Sequence, residues 1–368
     1  MSESAPTRPP PTDREQRVLQ IIETARAKRA RFRDDQITLA HGAGGKATQT
    51  LIEGLLVPAF GSETLQALGD AGGVTIGGAR LAMTADSFVV SPLRFPGGSI
   101  GELAVNGTVN DLAMAGAKAT ALTVAMILEE GLPSDVLRAE VEAIARAAQA
   151  AEVEIVGGDT KVVPRGLADG MYLSTTGVGA VDPRARLSTA GLRSGDQILV
   201  SGPIGEHGTA IMLARDQFDL DAEVESDTCS LWPAADALLG CAGEALHCLR
   251  DATRGGVASV LNELARASGV GLVVREADVP IAPVVAAAAE LLGIDPMYIA
   301  NEGRLVAFVA REAADGALAA LRRVAGCEEA AAIGEVRPEP PGMVMVQTAF
   351  GGRRVMDQLV GDPLPRIC

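Results

Sequence analysis

From Ile37 onward the chain runs as short apolar stretches separated by helix-spaced segments, with glycine closing most of them. That alternation limits it to a mixed α/β or α+β fold. Arg80–Thr84 and Phe88–Val90 read as strand around Asp86, and Ala121–Leu128 and Met171–Val181 as further strands. Val153–Val156 reads as a short buried strand that ends at Gly157-Gly158-Asp159. Between them, Ser99–Ala115 places Leu103, Val109, Leu112 and Ala113 on one helical side. Ser134 caps a helix over Asp135–Ala151.

A boundary is expected within Asp182–Asp196, where Pro183, Gly191 and Gly195 precede the strand Gln197–Val200. Beyond it, helices are expected near Gly208–Leu213, Ala234–Leu239, Val257–Ser268 and Pro283–Leu292, with strands at Leu305–Ala310 and Met343–Gln347. Met1–Asp13 is rich in Pro and Ser, and Arg14–Arg33 reads as a charged helix. Gly361, Pro363 and Pro365 make Gly351–Cys368 read as an extended, mobile tail. The division is therefore 1–36 as an extension, 37–184 as a first domain, 185–350 as an α/β second domain, and 351–368 as the tail.

Composition narrows the chemistry. Lys and Arg number 32 against 47 Asp and Glu, a net charge of −15, which repels phosphodiesters and argues against a nucleic-acid binder. The same excess of carboxylate suits a divalent cation. The five cysteines form no C-x-x-C pair, so neither a disulfide framework nor a structural zinc site is expected. The three histidines do not form a set at metal spacing. The longest apolar stretch, Leu112–Leu128, carries Lys118 and is too short to span a bilayer, and no signal pattern opens the chain; a cytoplasmic protein is expected.

His41-Gly42-Ala43-Gly44-Gly45-Lys46 is the densest glycine run. Small residues in series let backbone N–H groups approach an anion, and Lys46 could neutralise a phosphate. Ala40 and Ala47 break the Walker A pattern, and Ala47 also breaks G-x-G-x-x-G, so a tight turn entering a helix over Thr48–Val57 explains the run equally well. Asp70, Asp86, Asp111, Asp159 and Asp251 follow apolar stretches or stand beside glycine pairs. Singly each fits a cap or turn; together they suit Mg²⁺ shared with nucleotide phosphates. Lys161, two residues past Asp159, projects to the same side of an extended segment and could meet a phosphate or a developing anion. Glu302, before a strand, could be a general base or a solvated turn residue. Cys368 taken alone reads as an incidental terminal residue, although a thiol on a mobile arm could be modified outside the protein and then delivered to a pocket.

Taken in order, Ile37–Lys46, Thr84–Leu93, Phe95–Gly98, Gly107–Ala113, Leu128–Pro133, Gly158–Val163 and the terminal Pro365-Arg366-Ile367-Cys368 resemble the HypE family of hydrogenase maturation proteins, which are carbamoyl dehydratases. The resemblance runs from about residue 37 to the end. It implies the two-domain aminoimidazole ribonucleotide synthetase-like α+β fold, with an N-terminal sheet forming a barrel across a homodimer, an α/β C-terminal domain, and ATP in the cleft. It further implies that Cys368 receives a carbamoyl group from the carbamoyltransferase HypF. ATP then drives dehydration of the S-carboxamide to S-cyanate, and the cyanide passes through a HypC–HypD complex to [NiFe]-hydrogenase iron.

By the same resemblance Lys161 and Glu302 are catalytic and Cys368 is the carrier. Gly44, Gly45, Lys46, Asn110, Asp159 and Thr160 contact ATP, and Asp70, Asp86, Asp111 and Asp251 hold Mg²⁺. The chain departs from the family in its N-terminal extension, in Ala43, and in Ala71-Gly72-Gly73 after the first aspartate. The alternative within the superfamily, selenophosphate synthetase, usually carries a reactive Cys or selenocysteine in the glycine-rich loop, whereas the first cysteine here is Cys229. A scaffold holding a soft metal through Cys368 is the rival of another class, and scattered cysteines weaken it.

Overall fold

The N-terminal strands are β1 (Gly72–Ile76), β2 (Ala79–Phe88), the short pair β3 (Arg94–Phe95) and β4 (Gly98–Ser99), β5 (Ala117–Glu129), β6 (Glu154–Val163) and β7 (Met171–Val181). In this computed structural model, which describes residues 31–215, 223–361, 364 and 366–368, five of them form a sheet in the order β1-β2-β7-β5-β6. The Pro/Ser-rich start and nearly all of the charged helix expected over Arg14–Arg33 lie outside the described residues.

One face of this sheet is covered by the helices Ile100–Met114 and Ser134–Ala150. Leu103 and Leu112 are fully buried there with Phe88, Leu122 and Leu173, each large side chain contributing about 2 kcal/mol by leaving water. The approach is close because Gly107 faces Phe88: a Cβ at that position would lie 2.9 Å from the ring.

β6 differs from its sequence reading. Val153–Val156 is not a short buried strand; β6 continues to Val163 and is exposed along nearly its whole length as the sheet's edge. The glycine pair that read as a terminator sits mid-strand, where a Cβ on Gly158 would come within 1.9 Å of the Val124 carbonyl. Close packing against β5 requires the glycine, not a turn.

The second sheet uses β8 (Gln197–Val200), β9 (Leu246–Asp251), β10 (Gly271–Arg275), β11 (Leu305–Val309), β12 (Ala331–Arg337), β13 (Met343–Gln347) and β14 (Arg353–Met356), in the order β14-β13-β10-β12-β8-β11-β9. Its pairs are antiparallel except β10 with β13. β11 is buried on both faces. Val306 and Phe308 pack with Val257 and Leu261 of the helix Gly256–Ser268, while Leu305, Ala307 and Val309 pack with Leu238 and Leu321 from the helices Trp232–Ala242 and Ala314–Leu321. Such a sandwiched strand shows a continuous apolar run rather than alternation. β14 extends this domain past residue 350, so the region read as tail begins with a strand. Among the described residues no helix is long and apolar enough to cross a membrane.

Candidate active site

Three aspartates from separate elements meet where the two domains face each other. Asp70 precedes β1, Asp111 lies in the last turn of the helix Ile100–Met114, and Asp251 ends β9. A carboxylate oxygen from each lies within 4.8 Å of the others. Thr84 Oγ1 on β2 sits 2.6 Å from Asp111 Oδ2 and 3.0 Å from the Asp70 carbonyl, tying the first two together. Arg250 Nε is 3.0 Å from Asp70 Oδ1, and its other nitrogens reach Glu263 and the Leu68 carbonyl.

Burial dominates the electrostatics. It raises the Asp70 carboxyl to about 6 despite Arg250, and pushes Asp111 and Asp251 well above the ordinary range, with neighbouring aspartates adding to the effect. Asp86 is raised by burial, with Arg254 opposing. Asp111 also stands at the negative end of its helix, which further disfavours a bare carboxylate. Asp70 Oδ2 is buried with no hydrogen-bond partner among the described residues. A set of hard, crowded, partly orphaned oxygens fits a divalent cation such as Mg²⁺.

Glu302 belongs to the same neighbourhood. Asp251 and Asp86 raise its carboxyl well above the ordinary value, after burial itself, and Arg254 opposes them. Its Oε1 is buried and unpartnered among the described residues. Its backbone is held from two sides: the Glu302 N–H donates to Asp227 Oδ1 at 2.9 Å, and the Glu302 carbonyl accepts from Asn110 Nδ2 at 3.2 Å.

Asn110 is tied to the second domain through its amide. Nδ2 also donates to the Cys229 carbonyl at 2.9 Å, and Oδ1 accepts from the Leu231 N–H at 2.7 Å. Its amide is spent on three main-chain partners in the second domain, so it is a buried strut between domains.

The glycine-rich loop is likewise committed. Lys46 N–H donates to the Leu359 carbonyl at 2.9 Å, Gly44 N–H to Thr48 Oγ1 at 2.9 Å, and Lys46 Nζ to Asp357 at 2.7 Å. Gly44, at φ +75°, lies so close to Arg254 that a Cβ would meet that backbone at 2.9 Å. Arg254 in turn donates to the Gly42 carbonyl at 2.8 Å. The loop serves the site by seating Arg254, three residues past Asp251.

Asp159, Thr160 and Lys161 are not brought to the aspartates within one chain. Asp86 aligns with Thr175, Thr175 with Val124, and Val124 with Gly158, three strand spacings or roughly 14 Å across the sheet. Alternation places Asp86 on the helix-covered face and Asp159 and Lys161 on the opposite, outer face. There Lys161 Nζ pairs with Asp159 Oδ2 at 2.7 Å, as their two-residue spacing predicts.

The tail is docked where sequence reading expected a free arm. Ile367 is 1% exposed and joins the core with Leu364, Ile299 and Ala300. Val89 N–H donates to the Cys368 carboxyl oxygen at 3.0 Å and Ser91 N–H to the Arg366 carbonyl at 3.3 Å, the register of an antiparallel pair. Proline and glycine content shows that a segment cannot be helical; it does not show that it lacks a groove. Cys368 thus pairs with Val89, three residues along the chain from Asp86, and packs against the core that holds Ile299 and Ala300.

Models of the AIR synthase related protein family match residues 68–181 with the N-terminal domain and 193–347 with the C-terminal domain. A carbamoyl dehydratase HypE of Cupriavidus necator is 48% identical over 338 residues, covering 92% of this chain and 96% of the relative. Among solved structures, a hydrogenase maturation protein HypE in complex with ATP aligns with TM-score 0.76 at 43% identity, covering 90% of this chain and 100% of that one. A HypE–HypF complex aligns with TM-score 0.80 at 42% identity, covering 84% and 99%.

Proposed function

The chain belongs to the HypE family of carbamoyl dehydratases, and on that footing we propose how its residues carry out an ATP-dependent dehydration at Cys368. The chain is an enzyme of hydrogenase maturation. It converts the S-carboxamide of its C-terminal cysteine to the S-cyanate, the source of the cyanide ligand for [NiFe]-hydrogenase iron. The observation that carries the site assignment is the docking of the tail on Val89 and Ser91, in the segment that follows Asp86.

The balance of the reaction explains why such a site is needed. An S–C(=O)–NH₂ group loses its oxygen to phosphate and its two hydrogens as protons, leaving S–C≡N. An amide oxygen does not leave at neutral pH, and ATP supplies the phosphoryl group that makes it a leaving group. Asp70, Asp111 and Asp251, with Asp86 beside them, would hold Mg²⁺, whose charge balances the phosphates. Arg250 orients Asp70, and Arg254 presents a guanidinium to the cleft. Glu302, in its ionised form, takes up one amide proton, which its buried surroundings favour by raising its carboxyl, and the other proton leaves with the phosphate. Burial of Ile367 and Leu364 closes the tail side of the cleft against water.

Lys161 acts in this reading from the outer face of the N-terminal sheet. That face exposes Val74, Ile76, Met83 and Ile127, an apolar surface suited to a second copy, so we assign the homodimer to it and let Lys161 and Asp159 serve across that junction. The carbamoyltransferase HypF and a HypC–HypD complex are the proposed donor and acceptor partners, the first supported by the solved HypE–HypF assembly.

The test is the mass of the C-terminal peptide after enzymatic carbamoylation by HypF, followed by ATP. Carbamoylation followed by an ATP-dependent loss of about 18 Da, one water, is expected. A carbamoyl adduct that persists unchanged with ATP overturns the reading.

A further inference from the structure

The residues that hold the tail form a constellation outside the carboxylate cluster. His207, in the helix Glu206–Ala214, is 0% exposed. Its Nε2 lies 2.6 Å from the Ile367 carbonyl and its Nδ1 2.8 Å from Ser226 Oγ, while its ring meets Phe95 edge-on at 5.5 Å. Burial lowers the imidazole to about 4, so the ring is neutral at pH 7 and carries one proton. The hydrogen bonds locate it. A carbonyl can only accept, so Nε2 carries the hydrogen and Nδ1 accepts from the Ser226 hydroxyl. Ser226 Oγ in turn accepts the Thr228 N–H at 3.1 Å.

Arg215, just past the same helix, donates Nη2 to the Arg366 carbonyl at 2.6 Å and Nε to the Ser91 carbonyl at 2.8 Å. It thereby bridges the tail to the segment the tail pairs with. Arg366 pairs through Nη1 with Asp169 at 2.7 Å and through Nε with the Val89 carbonyl at 3.2 Å. Arg366 itself is at φ +59°, a left-handed conformation costing about 1 kcal/mol for a side chain of this kind. Such a conformation persists only where the surroundings over-determine it. Gly208 leaves room for Leu364, whose Cδ1 would lie 3.3 Å from a Cβ placed there.

Resting on the proposed dehydration at Cys368, we infer that His207, with Arg215 and Asp169, is a positioning residue that latches the Arg366–Ile367 peptide and so sets the register in which Cys368 is delivered. His207 and Arg215 hold main-chain carbonyls, Asp169 holds the Arg366 side chain, and Val89 holds the Cys368 oxygen. Register is therefore read from the main chain of Arg366, Ile367 and Cys368. His207 touches neither nucleotide nor reacting atoms in this assignment; it acts through the tail.

The experiment compares the full-length wild type with His207→Ala, His207→Gln and Arg215→Ala. Carboxypeptidase release of the terminal residue, which needs no activity, reads docking directly. Release is expected to rise about tenfold in His207→Ala and Arg215→Ala, the factor for one buried hydrogen bond, and to fall back in His207→Gln, whose amide restores a donor. After enzymatic carbamoylation, ATP-driven loss of water is expected to slow about tenfold in the two alanine variants while ATP affinity stays at the wild-type value. Arg215→Ala carries the test if His207→Ala does not fold. Wild-type protection of the tail in the alanine variants overturns the latch. Absence of water loss in the wild type overturns the functional reading instead, and the protection assay still decides the latch.

Discussion

The side-chain amide of Asn110 crosses the domain boundary to the main-chain carbonyl of Glu302 at 3.2 Å, so the helix that carries Asp111 also fixes the backbone of the acid on the opposite domain. With Asp227 on the Glu302 N–H, the strut leaves that residue little freedom except in its side chain. The helix of Asp111 and the backbone of Glu302 are thereby set in one frame.

Asn110→Ala should lower the stability by about 1–3 kcal/mol, since it strands three buried main-chain groups. Asn110→Asp should cost more, because an acceptor then faces two carbonyls. Thermal denaturation checks both, and a variant that melts with the wild type would show that the strut carries no load.

Asp86→Asn and Asp111→Asn should abolish Mg²⁺-dependent ATP hydrolysis while the fold persists. Asn keeps the shape and removes the anion that a hard cation requires. Full turnover with unchanged Mg²⁺ dependence in both variants would reduce the carboxylate cluster to a structural role.

Stability of the ion-free chain should fall as pH rises. The Asp70 carboxyl moves from 3.8 to about 6 on folding, so the folded state holds the proton more tightly; its contribution is greatest below the ordinary value and is lost through that interval. Asp111 and Asp251 extend the same trend to higher pH. Mg²⁺ competes with these protons, so it should raise the melting temperature more at about pH 7.5 than at about pH 5. Calorimetry showing an equal Mg²⁺ effect at both would remove the cluster as the binding site.

Light scattering of the wild type should report a dimer, and Ile76→Asp with Met83→Asp should return a 37.7 kDa monomer by placing charge on the exposed sheet face. A dimer that survives both changes would locate the junction elsewhere.

Cys368→Ala should eliminate the carbamoyl adduct and leave ATP binding intact, whereas Lys161→Ala and Glu302→Gln should accept the carbamoyl group and stall before the nitrile. Peptide mass spectrometry separates the two failures. An adduct on the Cys368→Ala chain would make another cysteine the carrier.

Local pattern was enough for the fold class and marked the three aspartates that the fold gathers. Ile100–Met114, Ser134–Ala150, β7 and β8 follow from periodicity, and Asp70, Asp86, Asp111, Asp251 and Glu302 stand out as acids beside glycines or strand ends. Local pattern records what a residue does to its own backbone. It does not record which distant segments meet, and the remaining assignments depended on that. Tertiary structure alone turned Asn110 inward as a strut and spent the loop amides of Gly44 and Lys46 on the chain's own groups. It also put Lys161 on the far face of the sheet from Asp86. The tail shows the reason most plainly: Pro and Gly forbid a helix before Cys368, but a carbonyl on Ile367 becomes a docking point only because the fold buries His207 opposite it.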